Sequence, residues 1–328
     1  MNFPEKERLL TLDFRLLTLQ MNTLQLLTPA LWSEYELIDC GGGEKLERFG
    51  TQIIARPEPQ AIWDKSLSDF EWQKRADATF RRDRSSPDKG EWQTSPDMRD
   101  PWYVAFRQEG LNMRFRLSLT TFKHVGIFPE QATNWTYIAE KVAAMTAKNQ
   151  ERPRVLNLFA YTGAATLAAC QAGADVTHVD AVKPVVNWAR DNADASELDG
   201  IRWLVEDAVK YARREVRRGN RYNGIILDPP AYGRGPEGEK WVLEDQINDL
   251  LKTCAELLDG ERFFFIINLY SIGFSSLILD NLIRQTFGSS AGSAALTKLP
   301  NAELGELYLD DRYQKRLPLG VFYRFSSV

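Results

Sequence analysis

Cysteine and histidine are scarce in this chain, with three cysteines and two histidines in 328 residues. Cys40, Cys170 and Cys254 stand apart without C-x-x-C spacing. That argues against a disulfide framework or a zinc ribbon, and makes a reducing cytoplasm the expected compartment. Two histidines are too few for a histidine-rich centre, so no metal is expected. Neither sign of charge dominates: 41 Lys and Arg against 45 Asp and Glu leave a net charge of −4. Such a balance argues against a general nucleic-acid coat, while a local basic groove stays compatible with it. Long apolar runs are also missing. The leucine-rich start repeats Leu-Leu-Thr from residues 9, 16 and 26, but Glu5, Lys6, Glu7, Arg8, Asp13 and Arg15 interrupt it too early for a signal-peptide core. Nothing there is suited to spanning a membrane. Residues 1–31 read as an amino-terminal extension, helical or disordered.

The segment from Val155 to Asp180 carries the strongest pattern in what is present. Residues 155–159 form a short apolar run suited to a strand inside a parallel sheet. Residues 164–172 are rich in helix formers and stop at Gly173. Residues 176–179 give the next strand, with Asp180 at its carboxyl end. A turn and a helix start thereby face an acid on one edge of the sheet, the arrangement that holds the ribose and charged tail of a nucleoside ligand. The Asp180 carboxylate can accept from both ribose hydroxyls, and free N–H groups at the helix start attract an anion. A dinucleotide site calls for G-x-G-x-x-G at this turn. Here Ala160-Tyr161-Thr162-Gly163 offers one glycine. That suits a ligand whose anion is a small carboxylate and points to S-adenosylmethionine. An ordinary ligand-free βαβ unit is the plain alternative.

Around this unit the chain divides into three. After the extension, residues 32–122 read as a β-rich accessory subdomain, with strand-like pieces at 36–39, 52–55, 102–106 and 113–119. Gly41-Gly42-Gly43, Pro57-Glu58-Pro59 and a polar stretch over residues 85–100 separate them. Lys74, Arg75, Arg81, Arg82 and Arg84 lie there among Trp63, Trp72, Trp92 and Trp102, an interleaving that can bind phosphates and stack bases. Asp69, Glu71, Asp77 and Asp83 dilute the cluster, so a solvated surface fits it equally well. Residues 123–328 form the third part. A helix over 135–148 leads into alternating strands and helices: helices near 182–192, 207–218, 244–257 and 277–287, and strands at 202–205, 222–227 and 263–269. This alternation predicts an α/β fold with a doubly wound, mostly parallel, Rossmann-like sheet. Two strand-like runs around residues 312–317 predict a terminal hairpin adding an antiparallel edge strand.

Ligands of such sheets collect beyond the carboxyl ends of the strands. Asp207, or the backbone beside it, is placed for an adenine amino group, and caps the following helix equally well. Asp228-Pro229-Pro230 is sharper. Its prolines donate no N–H and stiffen the chain, so outward carbonyls and Asp228 can accept from an amino group on a planar substrate. Tyr232 offers a ring for that substrate to stack on. Residues 233–238 read as a mobile loop able to close over the site, with Arg234 free for a phosphate.

With these residues in view, the stretch from about 123 to 270 resembles class I S-adenosylmethionine-dependent methyltransferases, and more narrowly the bacterial 23S ribosomal RNA methyltransferases of the RlmI/RlmK type. The resemblance makes Asn157, Leu158, Phe159, Ala160, Tyr161, Thr162 and Gly163 the first cofactor motif. It implies Asp180 at the ribose, with Ala181 beside it, and Asp207 near adenine, with Ala208 beside it. Asp228, Pro229 and Pro230, with Tyr232, become the substrate-side motif, and Asp228 counts among the cofactor contacts as well. It also implies that Gly126-Ile127-Phe128-Pro129-Glu130-Gln131 reaches the methionine end of the cofactor through Phe128 and Glu130. RNA, 23S ribosomal RNA in particular, is the partner it implies.

One departure is informative. Family members that methylate carbon 5 of a pyrimidine use a cysteine after the fifth strand, where this chain reads Asn268-Leu269-Tyr270-Ser271. Carbon 5 is a poor nucleophile without covalent activation, whereas a ring nitrogen owns a lone pair. The expectation is direct methyl transfer to a base nitrogen, a purine favoured. A pyrimidine carbon-5 enzyme, a small-molecule methyltransferase and a non-catalytic RNA scaffold are the alternatives. A nicotinamide dehydrogenase is set aside: Tyr137-x-x-x-Lys141 precedes the first core strand and the glycine fingerprint is missing. Monomer and dimer are equally open.

Overall fold

The fold is known from a computed structural model, which describes residues 23–83, 86–149, 151–270, 273–288 and 299–328. Its amino-terminal half is mostly antiparallel, with one parallel pairing between the fourth and fifth strands. Strand β1 (Gln25–Leu27) is followed by β2 (Tyr35–Gly41), β3 (Glu44–Phe49), β4 (Gln52–Pro57), helix α1 (Asp69–Arg75), β5 (Ala78–Asp83) and β6 (Ser86–Thr94). Strands β2 to β6 pair in chain order into a five-stranded sheet, and β7 (Trp102–Gln108) pairs with β8 (Leu111–Leu117) as a separate hairpin. Helix α1 starts at a capping box, in which Ser68 and Glu71 each satisfy the other's backbone N–H.

The second half alternates as its hydrophobic period dictates. Helix α2 (Ala132–Asn149) leads to β9 (Arg154–Leu158), α3 (Ala164–Gln171), β10 (Asp175–Asp180), α4 (Lys183–Ala195), β11 (Arg202–Val205), α5 (Ala208–Arg217) and β12 (Gly224–Leu227). A small hairpin of β13 (Tyr232–Arg234) and β14 (Lys240–Val242) follows, then α6 (Leu243–Leu257), β15 (Phe264–Leu269), α7 (Ser276–Phe287), β16 (Glu303–Asp310) and β17 (Arg316–Ser326). The large sheet has the order β1-β16-β17-β15-β12-β9-β10-β11. Strands β15, β12, β9, β10 and β11 are mutually parallel, and β17 joins antiparallel to β15. The α/β class and the β-rich amino-terminal region are therefore as expected.

Four details differ from the sequence reading. Strand β17 is interior, because β16 and β1 extend the sheet beyond it. The polar stretch at 85–100 contains β6, whose Trp92 ring meets Phe80 of β5 at 5.2 Å. Residues 233–238 are tied into the β13–β14 hairpin, where Gly235 N–H donates to the Glu239 carbonyl at 2.8 Å. Within the expected extension, β1 pairs parallel to β16, while residues 1–22 lie outside the described residues, as does Arg84 of the basic cluster.

The two halves share one apolar core. Trp135 of α2 sits 6.1 Å from Trp32, 5.2 Å from Phe106 and 5.5 Å from Phe115, all measured between ring centroids. No helix among the described residues is long and apolar enough to cross a membrane.

Candidate active site

The turn after β9 is built from strained backbone. Phe159 and Tyr161 take positive φ values of 56° and 49°, and Gly163 one of 88°. Non-glycine residues rarely hold such angles unless their surroundings fix them. Here they do. Ala160 N–H donates to the Val179 carbonyl at 3.1 Å, and the Phe159 ring packs on Trp241 at 4.9 Å. Tyr161 packs on Phe128 at 5.3 Å, and the Thr162 hydroxyl donates to the Gly126 carbonyl at 2.6 Å. Asn157 is buried and donates to Thr166 at 2.9 Å, whose hydroxyl lies 3.0 Å from His178 Nδ1. Burial pushes His178 down to about 3, so this chain of contacts is neutral and structural.

Asp180 closes the other side of the turn. Its two carboxylate oxygens accept from the Tyr161 and Val182 N–H groups, each at 2.9 Å. Each oxygen keeps a second lone-pair direction for a further donor. Burial raises its pKa, and the backbone donors work against that. Asp207 caps α5, accepting from the Lys210 N–H at 2.8 Å, and so follows the capping alternative; the Glu206 carboxylate pairs with Arg214 beside it.

A pocket opens at the carboxyl ends of β9, β12 and β15. Phe128, Asn157, Phe159, Ala160, Tyr161, Thr162, Gly163 and Asp228 all line it. So do Gln131, Asn134, Trp135 and Asn268, which the sequence reading did not assign to a site. Asn134 donates to Asn268 at 3.0 Å across the pocket floor. Only a buried asparagine ending an otherwise apolar strand could have signalled this in the sequence. Glu130, Asp180, Ala181, Asp207, Ala208, Pro229, Pro230 and Tyr232 do not line that pocket. Asp180 and Asp207 stand at the ends of β10 and β11 beside it.

Two carboxyls mark this region, Asp228 lining the pocket and Glu130 close enough to act on it, and the charges of Lys45 and Arg56 act on Glu130. Asp228 accepts no hydrogen bond among the described residues, and burial, with the Glu130 charge adding to it, pushes it up to about 7. Glu130 is 4% exposed and its Oε2 has no partner. Burial is the main cause that raises Glu130, also to about 7. The carbonyls after Asp228 are less available than expected. Pro230 O accepts from Trp241 Nε1 at 2.6 Å and Ala231 O from the Leu243 N–H at 3.0 Å. Pro229 is buried, whereas Pro230 and Tyr232 are exposed. Cys254 is fully buried in α6, and burial raises its thiol pKa far above neutrality.

These residues fit a ligand with cationic centres and a nucleoside. A pyrophosphate would be repelled by Asp228 and Glu130, whereas an ammonium or sulfonium group would be stabilised beside them. The family model for S-adenosylmethionine-dependent methyltransferases matches residues 74–291. The chain belongs to that family. A methyltransferase of this type from Agrobacterium tumefaciens is similar in fold, with a TM-score of 0.82, 34% identity, and coverage of 93% of this chain and 94% of that one. Among curated proteins, the ribosomal RNA large subunit methyltransferase K/L of Colwellia psychrerythraea is 28% identical over 193 residues, 54% of this chain and 26% of that protein. The Shewanella amazonensis protein of the same name is 34% identical over 157 residues, 46% of this chain and 20% of its own. The chain thus spans about a quarter or less of those relatives. The cofactor of this methyltransferase family is S-adenosylmethionine.

Proposed function

We propose that this methyltransferase modifies RNA, with ribosomal RNA as the substrate class, at a base nitrogen and preferably that of a purine. The observation that carries the reading is Asp228, a carboxylate that lines the pocket and accepts no hydrogen bond among the described residues. The names of the large-subunit methyltransferase relatives support RNA as the acceptor. The absence of cysteine from Asn268, Leu269 and Tyr270, and the packed state of Cys254, favour nitrogen over pyrimidine carbon 5.

In this reading residues 123–328 carry the chemistry and residues 32–122 form the accessory lobe. Asp180 would hold the ribose, Asp207 and the backbone at Ala208 the adenine, and the turn from Phe159 to Gly163 the methionine carboxylate. Phe128 and Glu130 would bound the methionine end. S-adenosylmethionine, when bound, supplies a methyl carbon activated by its sulfonium. Ionised Asp228 accepts hydrogen bonds from the acceptor's amino group, which aims the nitrogen lone pair. The cofactor would supply the methyl group and leave as the neutral thioether, and Asp228 would accept the proton that the methylated nitrogen gives up. Tyr232 is exposed and would stack on the base.

Methyl transfer from radiolabelled cofactor to ribosomal RNA from a deletion strain tests this, followed by nucleoside mapping of the product. A methylated purine nitrogen is the expected result. A carbon-5 pyrimidine product, or transfer only to small molecules, overturns it.

A further inference from the structure

The accessory lobe meets the pocket through a buried charge cluster. Arg56 pairs with Glu47 at 2.6 Å, and Lys45 with Glu47 at 3.6 Å and Glu58 at 3.4 Å. Glu58 also accepts from the Tyr270 hydroxyl at 2.5 Å, at the carboxyl end of β15. These carboxylates account for Lys45 and Arg56. Two further cations, Lys123 and Arg82, form no ion pair among the described residues. The charges acting most strongly on Lys123 are Glu58, which favours its ammonium, and Lys45, Arg56 and Arg82, which oppose it. Burial first, and those three cations second, bring Lys123 down to about 8.

Lys123 is also held in place. Its carbonyl accepts from Arg56 Nη1 at 3.3 Å, and the Thr120 hydroxyl donates to the carbonyls of Phe122 and His124 at 3.0 and 2.9 Å. Trp92 of β6 donates to the Thr120 carbonyl at 2.8 Å, tying the turn to the accessory sheet. His124, the residue after Lys123, meets Phe128 edge-on at 5.2 Å between ring centroids, and Phe128 lines the pocket. Phe122 on the same turn is 47% exposed. A partly shielded excess of positive charge on a held turn, beside an exposed ring, is what a nucleotide phosphate and its base require.

We propose that Lys123 and Arg82 form a phosphate-binding lip that holds the RNA backbone while the target base enters the pocket, with Phe122 as the adjoining stacking face. This deepens the RNA reading and rests on it. Binding a phosphodiester stabilises the ammonium of Lys123, so above pH 8 binding takes up a proton and affinity falls as pH rises.

The test uses the full chain and a labelled single-stranded ribosomal RNA fragment, titrated at several salt concentrations and at pH 7 to 9. Lys123→Met is expected to weaken binding roughly five- to tenfold and to lower the salt slope by about 0.7. Lys123→Arg, which cannot lose its proton, should keep the affinity and flatten the pH response. Binding of S-adenosylmethionine should be unchanged in both. If the wild type binds RNA and Lys123→Met matches it in affinity and slope, the lip is overturned while the RNA reading survives. If the wild type binds no RNA at low salt, both fall. Should inorganic phosphate at millimolar concentration, but not RNA, protect Lys123 from acetylation, the RNA assignment of the lip is overturned.

Discussion

At the scale of single residues the proposed chemistry turns on Asp228 and Glu130. Both are raised to about 7, Asp228 by burial and then by the charge of Glu130, and Glu130 mainly by burial. A protonated Asp228 can neither accept two amino hydrogens nor take a proton, so kcat/KM for the acceptor is expected to rise with pH through about 7. Glu130→Gln removes the neighbouring negative charge that raises Asp228. The midpoint of the profile should therefore move to lower pH, and a midpoint unchanged or moved upward would show that the two carboxylates do not communicate. Asp228→Ala is expected to lower kcat by about 10²–10³-fold, the usual cost of losing one preorganised polar group. Calorimetry should then find cofactor affinity nearly intact. A comparable loss of that affinity would instead make Asp228 a cofactor ligand.

At the scale of elements, Trp241 joins the β13–β14 hairpin to the site, with its ring on Phe159 and its Nε1 on the Pro230 carbonyl. Trp241→Phe keeps a ring and loses the hydrogen bond. We expect a stability loss of about 1–2 kcal/mol and a raised KM for the acceptor, read by thermal denaturation and steady-state kinetics. Gly126 is the stricter case. It holds φ at +106°, and a Cβ there would lie 2.3 Å from the Trp188 ring. Gly126→Ala should cost about 2–4 kcal/mol and loosen the segment carrying Phe128, lowering both melting temperature and cofactor affinity. These elements also mark where the sequence was legible. The strand, turn and helix from Val155 to Asp180 declare themselves because each is continuous, of one period, and stopped by glycine. Strand β13 contains only Tyr232, Gly233 and Arg234 and has no period to read; its order comes from Trp241 across the hairpin. Strand β6, Ser86–Thr94, likewise lacks apolar alternation, and its one strong anchor is Trp92 on Phe80. Asn134 and Asn268 were unreadable as a pair, being 134 residues apart in the chain.

For the whole molecule, the amino-terminal and carboxyl-terminal halves are packed together. Besides the ring cluster about Trp135, a buried carboxylate crosses between them. Asp39 of β2 accepts from Lys315 Nζ at 2.8 Å, from Trp72 Nε1 at 2.8 Å, and from the Leu67 and Ser66 N–H groups at 2.9 and 3.1 Å. Lys315 lies in the turn between β16 and β17, and together with Arg312, which pairs with Glu36, and Asp311, which bridges to Leu37, it fastens the amino-terminal sheet to the carboxyl-terminal hairpin. Burial alone would raise Asp39, yet its donors hold it below the ordinary carboxylate range. Glu47 behaves alike: burial opposes its charge, but Arg56 and Lys45 bring it down to about 2. A carboxylate whose folded pKa is depressed contributes stability above its unfolded pKa and loses it as pH falls towards the folded value. Acid unfolding is therefore expected to begin below about pH 4.5 and to be complete near the folded value of Glu47. Because Asp39 and Trp135 span both halves, tryptophan fluorescence and far-ultraviolet circular dichroism should report one coincident transition. Asp39→Ala leaves Lys315 only its longer pair with Asp311 at 3.5 Å and frees the Trp72, Leu67 and Ser66 donors, and should cost about 2–4 kcal/mol while preserving that single transition. Two separated transitions, or a soluble and folded fragment of residues 123–328, would show instead that the catalytic half stands alone.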